Sequence, residues 1–292
     1  MDVYSNGTVV HTGRLPRMQL VEDFIAFIQE ANELLQKEID LSPVNQLVTS
    51  TIGRLFLQLR SRYSPEEVHA VLSNEYIQLN RRNLQDKLSE AEFLVELSDS
   101  RQVCQFPDSV LDKVEQLPNW NTYIALVGEE LSTLHGIVEQ ARQSDNKPFV
   151  FVGSGPLPLS PILLHLLSDV KVICLEMNPV AYDASCTLLN RMGLRNKVTV
   201  VNINGSDFDY SAYDRIFVAS LVRNKQAVLE QISRTSKDPI VAVRTAEGMR
   251  QIMYEAIDEL QLNKQGWRIE GRTCPDEKLV INSTLFLNRS WN

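Results

Sequence analysis

The chain is poor in the residues that announce metal or redox chemistry. Its four cysteines, Cys104, Cys174, Cys186 and Cys274, form no Cys-x-x-Cys pair, and its four histidines are equally dispersed. Metal-ligand spacing is therefore missing. The cysteines read as reduced, small apolar residues of a cytoplasmic protein, and no resident metal is expected. Basic blocks are missing too. The 29 lysines and arginines are outnumbered by 37 acids, for a net charge of −8, which argues against a nucleic-acid partner. No apolar run is long enough to span a membrane, and Met1-Asp-Val-Tyr-Ser-Asn6 lacks the basic-then-apolar order of a leader. A length of 292 residues suits one large domain or two moderate ones, and a hydrophobic share of 43% is ordinary for a folded soluble protein.

What is present divides in two. After a polar start over residues 1–16, the segment from Met18 to about Leu97 repeats its apolar residues at helical spacing, as in Val21, Phe24, Ile25 and Ile28. Ser42-Pro43 is expected to open a second helix, and Ser64-Pro65-Glu66-Glu67 a third, with acids in its first turn. Residues 98–119 read as a less regular bridge. A long helix is expected from Asn119 to Arg142, with Tyr123, Val127, Leu131 and Leu134 on one stripe. Beyond it, apolar strands alternate with helices: Phe149–Val152, Val170–Leu175, Val198–Val201, Arg215–Ala219, Ile240–Val243 and Ser283–Leu287 are the strand candidates. That alternation predicts an α/β fold with a parallel, doubly wound sheet.

The first strand runs straight into Gly153-Ser154-Gly155-Pro156-Leu157. Two glycines at that spacing permit a tight turn and let a ligand approach the backbone without meeting a β-carbon. Ser160-Pro161 is expected to follow as N-cap and first helical position. The dinucleotide fingerprint needs a third glycine, and Pro158 stands there instead. A pyrophosphate cradle is thereby disfavoured, whereas a nucleoside without phosphates, such as S-adenosylmethionine, needs only the close backbone approach and a ribose partner.

Ligands of such sheets lie at the carboxyl ends of the strands. Glu176, 23 residues after Gly153 and followed by Met177, is placed to accept from both ribose hydroxyls. Asn204 and Asp207, after the third strand, are candidates for the adenine amino group. Ser220 ends the fourth strand and should border the methionine part. Arg244, ending the fifth, could clamp a carboxylate bidentately or simply form a surface ion pair.

These residues resemble the nicotianamine synthase family, including its bacterial relatives that make opine-type metallophores such as staphylopine. Phe151-Val-Gly-Ser-Gly-Pro-Leu-Pro-Leu-Ser160 is similar to that family's signature, and Arg244-Thr-Ala-Glu-Gly-Met-Arg-Gln-Ile-Met-Tyr254 to its second block. Leu41-Ser-Pro-Val-Asn45, Glu90-Ala-Glu92, Asn121-Thr-Tyr123 and Asn282-Ser-Thr284 are similar to further segments. The resemblance implies a helical cap domain over residues 1–118, a Rossmann-like S-adenosylmethionine-binding domain over 119–292, and an active site between them. It also implies transfer of the 3-amino-3-carboxypropyl (aminobutanoyl) arm of S-adenosylmethionine, as co-substrate, to an amine, with release of methylthioadenosine.

The family sets a carboxylate and a tyrosine on the helical part. Tyr123 matches the tyrosine. Glu90 and Glu92 stand about 200° apart around a helix, so both cannot enter one site. The stripe Leu84, Leu88, Ala91, Val95 lies nearer Glu92, which is therefore expected to be the base. Arg244 and Tyr254 are assigned to the substrate. Asn178 and Asn204 depart from the family, standing where an acid is common. The acceptor is expected to be a small-molecule amino acid, with histidine favoured and a homodimer possible. Condensation of S-adenosylmethionine units, a methyltransferase, or a non-catalytic binding module remain alternatives.

Overall fold

A computed structural model of the chain describes residues 17–107, 109–140, 147–274, 280 and 282–289. The expectations for residues 1–16, and for the end of the long helix at Arg142 and beyond, lie outside these residues. The first part of the chain is helical: α1 Arg17–Lys37, α2 Gln46–Leu59, α3 Pro65–Leu72, α4 Glu75–Val103 and the short α5 Val110–Glu115, followed by α6 Trp120–Gln140, which packs against the sheet through Val127, Leu131, Leu134 and Val138. Ser64 and Glu67 close a reciprocal capping box on α3, with Pro65 in its first turn, as the sequence suggests.

Two boundaries in this part differ from expectation. α2 does not start at Ser42-Pro43. Asn45 caps it, because its side-chain oxygen accepts from Leu47 N and Val48 N and so satisfies two N–H groups of the first turn, while residues 42–44 form a turn. The irregular bridge over 98–119 is largely helical: α4 is a single 29-residue helix from its Asn74 cap to Val103. Its polar Ser98-Asp99-Ser100 run conceals a continuing apolar face, since Leu97, Ser100 and Val103 are all buried.

The second part forms one seven-stranded sheet in the order β3-β2-β1-β4-β5-β7-β6. Strands β1 Phe149–Val152, β2 Val172–Leu175, β3 Val198–Val201, β4 Arg215–Val218 and β5 Ile240–Thr245 are parallel, with α7 Leu159–Ser168, α8 Pro179–Arg191 and α9 Lys225–Thr235 between them. The sheet is not parallel throughout. β7 Ser283–Arg289 lies antiparallel between β5 and an unexpected edge strand, β6 Trp267–Arg272, which follows α10 Glu259–Lys264. β6 escaped the sequence reading because Arg268, Glu270 and Arg272 break its apolar character, as is usual for an edge.

Period-two alternation on β1 sends Phe149 and Phe151 to one face, where they pack with Phe217 and Phe286. Val150 and Val152 face the other side, against Val228, Leu229 and Ile232 of α9. Val103, Val110 and Val114, from the ends of the helical layer, share the first of these clusters with the sheet. A third cluster fills the helical layer and includes Ala246, Met249, Ile252, Met253 and Tyr254, from the chain that follows β5. In register, Val152, Leu175 and Val218 reach the same level, so the loops after them open at one edge of the sheet.

Candidate active site

A cavity of about 510 Å³ lies where these loops meet the helical layer. Its sheet wall begins at the glycine turn. Gly153 (φ 79°) and Gly155 (φ 69°) both occupy the left-handed region that only glycine enters cheaply. A β-carbon on Gly153 would come within 2.5 Å of Val222 Cγ2, and one on Gly155 within 2.7 Å of Glu96 Oε2. The cradle is thus open only because both positions lack a side chain. Glu176 braces it, accepting from Gly155 N at 2.8 Å and from Asn178 N at 2.9 Å. Asn202 holds the Glu176 carbonyl at 2.8 Å. The Ser220–Val222 loop is tied by Lys225, whose Nζ donates to the Ser220 and Val222 carbonyls at 2.7 and 3.0 Å. Burial of that ammonium lowers its pKa to about 8.

The helical wall carries carboxylates. Glu92 and Glu96 are one turn apart on α4 and both line the cavity. Glu92 keeps only part of its surface accessible and lines the cavity. Burial therefore pushes its carboxyl from 4.5 up to about 7, against the opposing effect of a hydrogen bond from Tyr254. Tyr254 Oη donates to Glu92 Oε2 at 3.2 Å. Glu96 is raised well above the usual carboxylate range by burial and by its neighbours Glu92 and Glu176. Tyr123 also lines the cavity, its hydroxyl driven up by burial and by the charges of Glu96 and Glu92. Three carboxylates around one cavity favour a ligand that carries positive charge.

Arg244 behaves differently from the expectation of a ligand clamp. Its Nε and Nη2 donate to Glu130 Oε1 and Oε2 at 2.9 and 3.0 Å, so the fork is filled by the protein's own carboxylate. Nη2 also donates to Ser160 Oγ at 2.9 Å, and Thr284 Oγ1 donates to Glu130 at 2.7 Å. The network binds α6, α7, β5 and β7 together beneath the cavity. It also explains why Ser160 is not the N-cap: α7 begins at Leu159 after Pro158, without a side-chain cap, and the Ser160 hydroxyl is turned to Arg244.

Most of the sequence candidates converge on this cavity: Gly153, Ser154, Gly155, Pro156, Leu157, Glu176, Met177, Asn204, Ser220, Glu92, Tyr123, Arg244 and Tyr254 all line it. Asp207 does not. It is exposed in the turn after β3, and its nearest side-chain partner is Ser206. Glu90 points to solvent beside Lys87, as the helical geometry requires. The hydroxyl bonded to Glu92 is that of Tyr254, which the sequence reading had given to the substrate, rather than Tyr123. Glu96 was missed, although its position one turn after Glu92 was a readable signal. Glu130 and Lys225 carried no local signal, and Asn282, which donates to Ser220 Oγ at 2.8 Å, stood in a family-like segment without an assigned role.

The family described as "NAS: Nicotianamine synthase protein" matches residues 19–292. The chain belongs to the nicotianamine synthase family. Among curated relatives, "Probable nicotianamine synthase 2" of Hordeum vulgare is 25% identical over 93% of this chain and 82% of its own. "L-histidine 2-aminobutanoyltransferase" of Pseudomonas aeruginosa is 26% identical over 49% of this chain and 54% of its own. In fold, the chain is similar to the crystal structure of MtNAS in complex with MTA and tNA, with a TM-score of 0.75 at 20% identity, covering 95% of this chain and 100% of that one. A variant of MtNAS in complex with S-adenosylmethionine superposes with the same TM-score over 91% of this chain and 98% of that one. Membership of the nicotianamine synthase family accounts for the joined helical and sheet layers around one cavity.

Proposed function

We propose that the protein transfers the aminobutanoyl arm of S-adenosylmethionine to the amine of an amino acid, releasing methylthioadenosine, and that histidine is the acceptor. The observation that carries the reading is the hydrogen-bonded pair of Glu92 and Tyr254, which lines the same cavity as an open glycine cradle. The residues fit S-adenosylmethionine. Gly153 and Gly155 leave room for the nucleoside against the backbone, and Glu176 stands at the end of β2, where ribose hydroxyls would donate. Glu92, Glu96 and Glu176 together suit a ligand with a sulfonium and an ammonium.

When bound, S-adenosylmethionine supplies an electrophilic carbon attached to sulfur. Glu92, held near pH 7 by its burial, removes the proton that keeps the acceptor's amine from attacking. Tyr254 Oη steadies the carboxylate as it takes the proton. The shape of the cavity decides which of the three carbons on sulfur faces the amine, and hence whether the arm or the methyl group moves. Histidine as acceptor is supported by likeness to the Pseudomonas aeruginosa transferase over half the chain. Condensation of successive S-adenosylmethionine units is a second reading, supported by plant synthases that match a larger share of it.

Mass spectrometry of purified protein with S-adenosylmethionine, alone and with L- or D-histidine, tests both. Methylthioadenosine only when histidine is present is the expected result. Methylthioadenosine with no added acceptor selects the second reading, and S-adenosylhomocysteine would overturn the transfer altogether.

A further inference from the structure

A second ligand in this cavity brings a charge that the carboxylate-rich wall cannot accept. Any amino-acid acceptor carries an α-carboxylate, and the acids Glu92, Glu96 and Glu176 offer it no counter-charge. Three arginines line the cavity. Arg244 is filled by Glu130, and Arg223 pairs with Asp86. The third, Arg60, closes α2 on the helical wall. Its guanidinium lies 5.8 Å from the centre of the Phe56 ring, and its Nε is buried with no hydrogen-bond partner among the described residues. No carboxylate among the described residues pairs with it. A cation at the cavity wall that meets no acid among the described residues is placed for an anion that arrives with a ligand.

We infer that Arg60 receives the α-carboxylate of the acceptor, which restricts acceptors to amines bearing a carboxylate. The Phe56 ring, 5.8 Å away, gives the guanidinium a cation–π contact on the same wall. Such a contact draws the acceptor toward the helical wall, where Ser89 and Glu92 also face the cavity. The inference rests on the proposed transfer. Its test reads binding without turnover, so the two fail separately.

Calorimetry on methylthioadenosine-loaded protein would compare L-histidine with histamine, which lacks only the carboxylate. The wild type is expected to bind L-histidine about 10- to 100-fold more tightly than histamine. Arg60→Gln should lose that preference by weakening L-histidine alone, and Arg60→Lys should restore part of it. An unchanged melting temperature and unchanged methylthioadenosine affinity show that the variants fold. Equal L-histidine binding by wild type and Arg60→Gln overturns the inference. So does a variant that keeps L-histidine but loses more than tenfold in S-adenosylmethionine affinity relative to methylthioadenosine, because the carboxylate served would then be that of S-adenosylmethionine. Absence of methylthioadenosine production by the wild type with every amine removes the transfer reading instead.

Discussion

Glu130 and Glu92 are both helix glutamates with partners on the chain around β5, yet they are built to opposite ends. Glu130 is fully buried and meets Arg244 through two hydrogen bonds and Thr284 through a third. Its charge is cancelled and its lone pairs are used. Among the described residues Glu92 has a tyrosine donor, no paired cation, and a second carboxyl group one turn away. The first arrangement fixes four elements in place. The second leaves a carboxylate whose proton is exchangeable at neutral pH. Placing charge in a low-dielectric interior serves architecture when it is neutralised and chemistry when it is not.

The largest effect should come from replacing the unneutralised acid. Glu92→Gln keeps shape and a hydrogen bond to Tyr254 but cannot take a proton, so product formation should fall by roughly 10²- to 10⁴-fold. Calorimetric affinity for S-adenosylmethionine should change little. Full activity in this variant would remove Glu92 as the base. Glu130→Ala should reverse the pattern, since a stranded Arg244 guanidinium costs about 3–5 kcal/mol of stability. Denaturant unfolding would register that loss, and a cost below about 1 kcal/mol would mean that the network is not structural.

The comparison sharpens with pH. The Glu92 carboxyl is raised in the folded protein from 4.5 to about 7, so unfolding releases its proton throughout that interval. Stability should therefore decline as pH rises from about 4.5 to about 7 and stay lower above. Glu92→Gln should gain on the order of 1–3 kcal/mol over wild type above pH 7, and nothing near pH 4. The wild-type pH–rate profile should show a matching acid limb near 7, absent from the variant. The smallest effect belongs to Tyr254→Phe. Losing a donor to the charged form should raise the Glu92 pKa further, moving the acid limb to higher pH with a rate loss of about tenfold or less. A limb that stays in place would show that the 3.2 Å contact has no influence.

Legibility followed how local each cause was. The glycine turn and strands Phe149–Val152 and Val198–Val201 could be read because backbone freedom and apolar runs are written in adjacent residues. Glu92 could be told from Glu90 by helical phase alone. Tyr254 as its partner could not, because 162 residues separate them. The Arg244–Glu130 pair spans 114 residues, and nothing in either segment names the other. β6 was hidden by charges that suit an edge, and Asp207 was misplaced because a turn after β3 carries it away from the cavity.

The path of the chain after β5 has a consequence for modularity. Residues from Ala246 to Tyr254 leave the sheet and pack into the helical cluster, where Gln85 Nε2 donates to the Gln251 carbonyl at 2.8 Å. The helical layer is therefore not a separable attachment contributed by the first part of the sequence alone. A chimera that exchanged only that part for a relative's would pair a foreign helical core with native Met249, Ile252 and Met253. Transplanting the specificity of one such enzyme onto another requires moving two distant pieces of sequence together, and divergence within the fold would be expected to keep those pieces in step.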